Sequence, residues 1–265
     1  MGVHTFPAII VNYIVAMGCG IQMLSDDYHI VDQFEVKWFS GGLLMGFLFI
    51  GLFYLMAYTA QRLGMAVSSV ATKMSLVIPV AFFMITKAND EPTFLKISAV
   101  CLAVLGVLLT SQKGKQGKDV AWYVFLFPVI IFLGSGAIDL LIGHYSDFVE
   151  TENDKFLFTS TPFFTSAMIG LVVSIIQVFI GKFKFNWQTL VGGAILGIVN
   201  FGSIYYLVKA YDSGFLPSSS VVSLNNLGVI LFSSIVGVAL FKEQLNLRKS
   251  IGIAVAVIAI VMLLI

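Results

Sequence analysis

Two stretches decide the architecture: GGLLMGFLFIGLFYL, Gly41 to Leu55, and GGAILGIVNFGSIYYL, Gly192 to Leu207. At an offset of 151, Gly41, Gly42, Gly46, Gly51 and Tyr54 meet Gly192, Gly193, Gly197, Gly202 and Tyr205. One deletion later, GMAVSS (Gly64–Ser69) meets GFLPSS (Gly214–Ser219) at an offset of 150. Self-similarity at a nearly constant offset is the mark of an internal duplication. Both copies are continuous apolar runs, so the duplicated unit is built from membrane-type helices.

The rest of the chain agrees. Of 265 residues 58% are hydrophobic and 11% charged, whereas a water-soluble domain is about one-quarter charged. Nine segments approach the roughly 20 apolar residues that a helical crossing needs. These are Thr5–Leu24, Ser40–Ala60, Met65–Thr86, Phe94–Thr110, Val120–Tyr145, Ser160–Gly181, Trp187–Tyr211, Leu216–Phe241 and Lys249–Ile265, the first to ninth segments. A membrane barrel would alternate over about ten residues, which the run Ile251–Ile265 does not do. No positive region precedes the first apolar run, as a signal peptide would require. The expected fold is therefore an all-α integral membrane bundle of about nine transmembrane helices. Cys19 and Cys101 sit in apolar runs and read as small buried hydrophobes rather than a disulfide.

The repeat matches the first to fourth segments with the sixth to ninth and leaves the fifth without a mate. Corresponding segments lie five crossings apart, an odd number, so the two copies are inverted in the membrane. The expected plan is a 5+5 inverted repeat whose first helix is missing, its partner expected upstream of Thr5. On this reading residues 1–118 form a first repeat of four helices and residues 119–265 a second of five. Inverted repeats are a feature of secondary transporters, which bind substrate near the bilayer midplane.

Charge sets the expected orientation. Arg62, Lys113, Lys115, Lys118, Lys182, Lys184, Lys242, Arg248 and Lys249 gather on one side, and Lys37, Lys87, Lys96 and Lys155 on the other. Because cytoplasmic loops carry the Lys/Arg excess, the N-terminus is expected in the cytoplasm and Ile265 outside. With 15 basic against 14 acidic residues, bulk charge implies no nucleic-acid partner.

Two longer stretches bear a family likeness: SSVATKMSLVIPVAFFM (Ser68–Met84) and SLNNLGVILFSSIVGVALFKEQLNLRKSIGIAVAVIAIVMLL (Ser223–Leu264). Together with the duplication, they resemble the EamA-like branch of the drug/metabolite transporter superfamily. That family's repeat ends in an apolar helix, a short loop with a glutamate, and a final helix rich in small residues. Glu243 in FKEQL holds the loop position, with Glu91 in NDEPT as its poorer counterpart. The resemblance implies a permease of alternating-access type in the cell (inner) membrane, working without a cofactor as a monomer or homodimer. It departs from the family in the absent helix and in the outside placement of Ile265.

Candidate site residues follow from the cost of polarity in a bilayer, about 2.5–3.5 kcal/mol for an ionisable group on insertion scales. Lys73 lies within the third segment, three and four residues from Ser69, Leu76 and Val77. Its repeat mate is Ser223, whose helix face also carries Ser219 and Asn226. Two such matched polar faces suit a substrate cavity with a cationic wall, favouring anionic or carboxylate-bearing solutes; the bland alternative is a lysine bonded to carbonyls. Asp139, in the fifth segment, is a proton-coupling candidate or else a neutral aspartate joining two helices. Counted along straight helices, Lys73 and Asp139 differ in depth by roughly 15 Å, too far for a salt bridge; Lys209 and Asp139 share a level and could pair, unless Lys209 snorkels to the interface. Asn12, Tyr13, Tyr54, its mate Tyr205, Asn200, Ser203 and Asn225 complete the polar set, able to orient a polar solute or to bond helices together. The prolines Pro79, Pro128, Pro162 and Pro217 are expected to kink or start helices, and the three tryptophans to face lipid or the interface.

A membrane-embedded enzyme would need a His-Glu-x-x-His, paired metal-ligand aspartates or a Gly-x-Ser-x-Gly, and a pump a Gly-x-x-x-x-Gly-Lys-[Ser/Thr]; the chain has none of these. His4, His29 and His144 are scattered, so no metal site is expected. A channel would show a filter loop. The sequence thus points to a secondary transporter of a small polar metabolite, in contact with the lipid bilayer and with a proton as the candidate coupling ion. A flippase for lipids or lipid-linked sugars is the alternative on the same fold. In a chain cleared of Cys19 and Cys101, Lys115→Cys is expected to react with an impermeant maleimide only after permeabilisation. Glu152→Cys is expected to react in intact cells. The opposite pattern would reverse the orientation.

Overall fold

The computed structural model describes residues 5–25, 36–63, 65–88, 90–110, 123, 126–181, 185–241 and 247–264. Lys113, Lys115, Lys118, Lys182, Lys184, Lys242, Glu243, His4 and His29 lie outside the described residues. Every regular element among the described residues is a helix. They are α1 (Thr5–Gln22), α2 (Lys37–Leu63), α3 (Met65–Met74), α4 (Val77–Thr86), α5 (Phe94–Thr110), α6 (Phe127–Tyr145), α7 (Glu152–Phe179), α8 (Trp187–Asp212), α9 (Ser218–Phe241) and α10 (Leu247–Leu264), with a 3-10 turn at Ser146–Phe148. Among the described residues five helical stretches are long and apolar enough to cross a membrane: Thr5–Gln22, Lys37–Leu63, Phe127–Phe148, Glu152–Phe179 and Trp187–Asp212.

Two boundaries depart from the apolar segments for identifiable reasons. The third segment is two helices rather than one. Pro79 has no N–H, and its ring excludes the carbonyl four residues back, that of Ser75. The helix therefore ends at Met74, turns through Ser75 and Leu76, and restarts at Val77. The sixth segment, read from Ser160, begins at Glu152. Thr151 accepts from the Asp154 amide at 3.1 Å while Asp154 accepts from the Thr151 amide at 3.0 Å, a reciprocal cap that starts the helix before its apolar run. Pro128 and Pro217 stand at helix starts, whereas Pro162 lies inside α7.

The chain divides into two compact units, each discontinuous in sequence. One comprises Met1–Tyr54 with His144–Asp212, and the other Leu55–Gly143 with Ser213–Ile265. In the first unit α1 packs against α7 and α8. Its core is aromatic: Trp38 meets Phe158 edge-on with centroids 5.8 Å apart, and Phe163 touches Phe49 at 5.6 Å and Tyr13 at 6.1 Å. Trp38, expected at the lipid boundary, is thus a core residue at 1% exposure, while Trp187 is 71% exposed. Position near a helix end does not reveal which way an indole turns. In the second unit α5 packs on α10, α4 and α10 on α9, and α3 on α5.

Glycines let the helices of the first unit approach closely. A Cβ on Gly193 would lie 2.7 Å from the Ala8 carbonyl oxygen, and one on Gly197 2.6 Å from that of Asn12. On α2, a Cβ on Gly42 would lie 2.8 Å from Thr161, and one on Gly46 2.7 Å from the Pro162 carbonyl oxygen. These are the glycines paired by the sequence offset. The pair on α8 receives α1, and the pair on α2 receives α7. Gly192, the neighbour of Gly193, has open space instead. Gly197→Ala is expected to destabilise by about 1–3 kcal/mol, the usual penalty of overpacking, read as a lower thermal midpoint in detergent. Gly192→Ala is expected to leave that midpoint unchanged or slightly raised.

Candidate functional site

The second unit holds two of the charges that the sequence sets inside apolar segments, Lys73 and Asp139. Lys73 lies in the last turn of α3, where the end of the helix dipole favours a cation. The break set by Pro79 follows at once. Ser75 Oγ donates to the Thr72 carbonyl at 2.6 Å, and the Ile78 amide donates to the Ser75 carbonyl at 3.0 Å. That same Ser75 oxygen lies against Gly136 of α6, where a Cβ would come within 3.0 Å of it. The missing side chain brings α6 onto the break, and Asp139 follows Gly136 one turn later.

Asn226 of α9 joins the two charges. Lys73 Nζ donates to Asn226 Oδ1 at 3.5 Å, and Asn226 Nδ2 donates to Asp139 Oδ2 at 3.2 Å. The amide nitrogen's other hydrogen goes to the Val222 carbonyl at 3.1 Å. With oxygen and both hydrogens engaged, the carboxamide has one orientation. Asn226 is buried, whereas Lys73 and Asp139 are half-buried and each keeps an accessible edge. Lys73 and Asp139 are linked through Asn226 rather than by a salt bridge, and one carboxamide spans a gap smaller than the roughly 15 Å that residue counting suggests. The count assumed an unbroken third helix and a fifth helix starting at Val120. Instead α3 stops beside Lys73, and α6 runs from Phe127, so Asp139 lies well short of its end.

The polar face expected on α9 exists. Ser219, Ser223 and Asn226 are all buried there, with Ser223 Oγ donating to the Ser219 carbonyl at 2.7 Å. Ser69, assigned to the matching face of α3, is exposed. One residue on this face was not singled out from sequence. Asp90, from the α4–α5 connection, is 1% exposed and accepts from the Ser219 amide at 2.6 Å, from Ser219 Oγ at 2.5 Å and from Lys96 Nζ at 2.9 Å. The residue before α9 is Pro217, whose side chain cannot cap a helix, so a carboxylate from another connection accepts from the Ser219 amide and meets the positive end of the dipole. The readable signal was a helix start, Pro-Ser-Ser, with no side-chain cap at the position before it.

In the first unit Asn200 Nδ2 donates to Asn12 Oδ1 at 2.9 Å, fixing α8 to α1. Tyr205 Oη donates to Glu152 Oε2 at 2.8 Å and its ring stacks with Phe156 and Phe201 at 5.1 and 5.9 Å. Lys209 approaches Glu152 at 3.4 Å, and Lys155 pairs with Glu152 at 3.1 Å and Asp212 at 2.9 Å. Lys209, for which the sequence allowed a pairing with Asp139, serves Glu152 within its own unit. Tyr54, the repeat mate of Tyr205, is 57% exposed. The sequence candidates thus separate: Lys73, Asn226 and Asp139 come together in one unit, Asn12 and Tyr205 belong to the other, and neither Ser69 nor Tyr54 joins a cluster.

No protein-family model matches the chain. An uncharacterized protein of Haemophilus influenzae is 27% identical over 259 residues, covering 96% of this chain and 86% of that protein. A solved crystal structure at 12% identity superposes with a TM-score of 0.69 over 98% of this chain and 87% of its own. At that identity the likeness is one of fold. The class defined by these observations is a helical protein with several helices able to span a membrane. Asp90→Ala removes the cap of α9 and the partner of Lys96, and is expected to cost about 2 kcal/mol, the upper end for a lost cap. Differential scanning fluorimetry of Asp90→Ala beside Asp90→Asn, which keeps one acceptor oxygen, measures it.

Proposed function

We propose that the chain is a secondary transporter of a small polar metabolite, of the drug/metabolite transporter type its sequence resembles, working by alternating access with a proton as coupling ion. The observation that carries this reading is the Lys73–Asn226–Asp139 chain beside a broken helix. Charges among apolar helices are expensive and mark solute or proton pathways, and interrupted helices near the bilayer midplane form transporter binding sites. The half-buried ammonium of Lys73 supplies a contact for an anionic group, and Asp139 a carboxyl that takes up and releases a proton. The offset-matched glycines at like helix contacts support descent from a duplicated repeat. The arrangement draws Lys73 from one half of the sequence and Asp139 and Asn226 from the other, as a duplicated transporter would.

Purified full-length chain in proteoliposomes, offered a cell metabolite extract under an imposed pH gradient, is expected to accumulate at least one small polar solute identified by mass spectrometry. Lys73→Ala is expected to weaken its apparent affinity about tenfold or more, the worth of one charge-assisted contact. Asp139→Asn is expected to abolish accumulation driven by the gradient. Retention no greater than in protein-free vesicles would overturn the reading, and transbilayer movement of a labelled lipid in its place would make the chain a flippase.

A further inference from the structure

We propose that Ser135 is a positioning residue for the proton on Asp139: when the carboxyl is loaded, its O–H is held by the Ser135 hydroxyl, one turn earlier on α6. The inference deepens the transporter reading and rests on its assignment of Asp139. Asn226 keeps its observed orientation throughout. Two unclaimed valences carry the proposal. Asp139 Oδ2 accepts from Asn226 Nδ2, while Oδ1 has no partner among the described residues. Ser135 is 7% exposed, and its Oγ is buried without a hydrogen-bond partner among the described residues. A buried polar atom in that state calls for an explanation.

Helix geometry directs one valence to the other. Residues four apart stand on one face with Cβ atoms about 5–6 Å apart. A helical side chain also leans over the turn N-terminal to its own Cα, which for Asp139 is the turn that carries Ser135. In the ionised form the carboxylate is drawn to Asn226 and, through it, to Lys73. A proton taken from the aqueous phase at Oδ1 weakens that pull and creates a donor in need of an acceptor. One O–H bond forms, and nothing is oxidised or reduced. The other acceptors are engaged: Asn226 turns its nitrogen to Asp139 and its oxygen to Lys73, and the Val222 carbonyl takes the second amide hydrogen. The Ser75 carbonyl against Gly136 takes the Ile78 amide. Ser135 Oγ is open. Its own hydrogen then goes to the carbonyl four residues back, that of Ile131, as those of Ser160 and Ser223 go to Phe156 and Ser219. So turned, the hydroxyl can only accept from Asp139 and favours the protonated form. Oδ2 accepts from Asn226 in both forms, so no oxygen is set bare against another.

The neighbouring elements bring few other titratable groups. Lys73, from α3, is the charged group acting on Asp139. Lys87, at the end of α4, is held by the Gly143 carbonyl at 3.2 Å, one turn further along α6. The sequence of α9 contains no titratable side chain. From α2, Tyr58 meets Phe127 at the opposite end of α6, with Arg62 over the tyrosine ring. On α6 itself His144 stands in the last turn against the rings of Tyr145 and Phe148.

The test needs no substrate and so is separable from the transport assay. Infrared titration of the purified full chain follows the protonated-carboxyl band that Asp139→Asn removes. Ser135→Ala is expected to make Asp139 give up its proton about threefold to tenfold more readily, the worth of one neutral hydrogen bond, and to move the frequency of the band. Ser135→Thr, which keeps the hydroxyl, is expected to restore both. Ser174→Ala deletes a buried hydroxyl of the other unit that likewise has no partner among the described residues, and is expected to alter neither. An unchanged titration in Ser135→Ala, or a Ser135→Thr that behaves like it, would overturn the proposal. A tighter hold on the proton would do so too, because the hydroxyl would then be donating to the carboxylate. So would a wild-type chain in which no carboxyl band assigned to Asp139 titrates. The expected Ser135 effect in a chain that accumulates no solute would leave this proton site standing and overturn the transporter reading alone.

Discussion

An ammonium and a carboxylate held one carboxamide apart among apolar helices set the terms for the second unit. Neither charge is tolerable there alone, and side-chain counting along straight helices would keep them apart. The fold brings them together with three local devices. Pro79 ends α3 just after Lys73, Gly136 leaves room beside the Ser75 carbonyl so that α6 can approach, and Asn226 offers an acceptor and a donor from one side chain. The position of α9 matters for all of this, and Asp90 secures it by capping the first turn from a distant connection.

The first unit solves a different problem. In a bilayer, lipid would supply no hydrophobic drive for such helices to associate, and contact would depend on close packing and on polar bonds. Gly193 and Gly197 bring α1 to within contact of the α8 backbone, Gly42 and Gly46 do the same for α2 and α7, and Asn12 with Asn200 adds a directional bond. At the end where α7 begins and α8 finishes, Glu152, Lys155, Tyr205, Lys209 and Asp212 form an ion-pair group of balanced charge. Exposed pairs of this kind contribute little individually; Lys155, buried between two carboxylates, is the member whose geometry is fixed.

Much of this was legible from residues. Continuous apolar runs identified the helices, the glycine offsets identified positions that share a packing role, and the face Ser219–Ser223–Asn226 was readable from helical spacing. Pro79 reads as a kink, yet its consequence, a stop beside Lys73, depends on the turn through Ser75 and Leu76 finding room against Gly136. Trp38 and Asp90 were misread or passed over for a common reason. Both lie near helix ends, where composition suggests an interface or a loop, and both are buried because another segment folds over them.

The sequence by itself determined that the protein is helical and apolar enough to live in a membrane, that its glycines recur at matched positions, and that Lys73 and Asp139 need an explanation. Those conclusions follow from composition and periodicity, which are local properties of the chain. Only the tertiary structure decided that the explanation is shared. Lys73, Asp139 and Asn226 lie 66 to 153 residues from one another in sequence. Their contact depends on the meeting of α3, α6 and α9, set by a proline-broken helix, a glycine approach and a borrowed cap. No spacing rule encodes such a meeting, because it arises from helices finding one another in three dimensions.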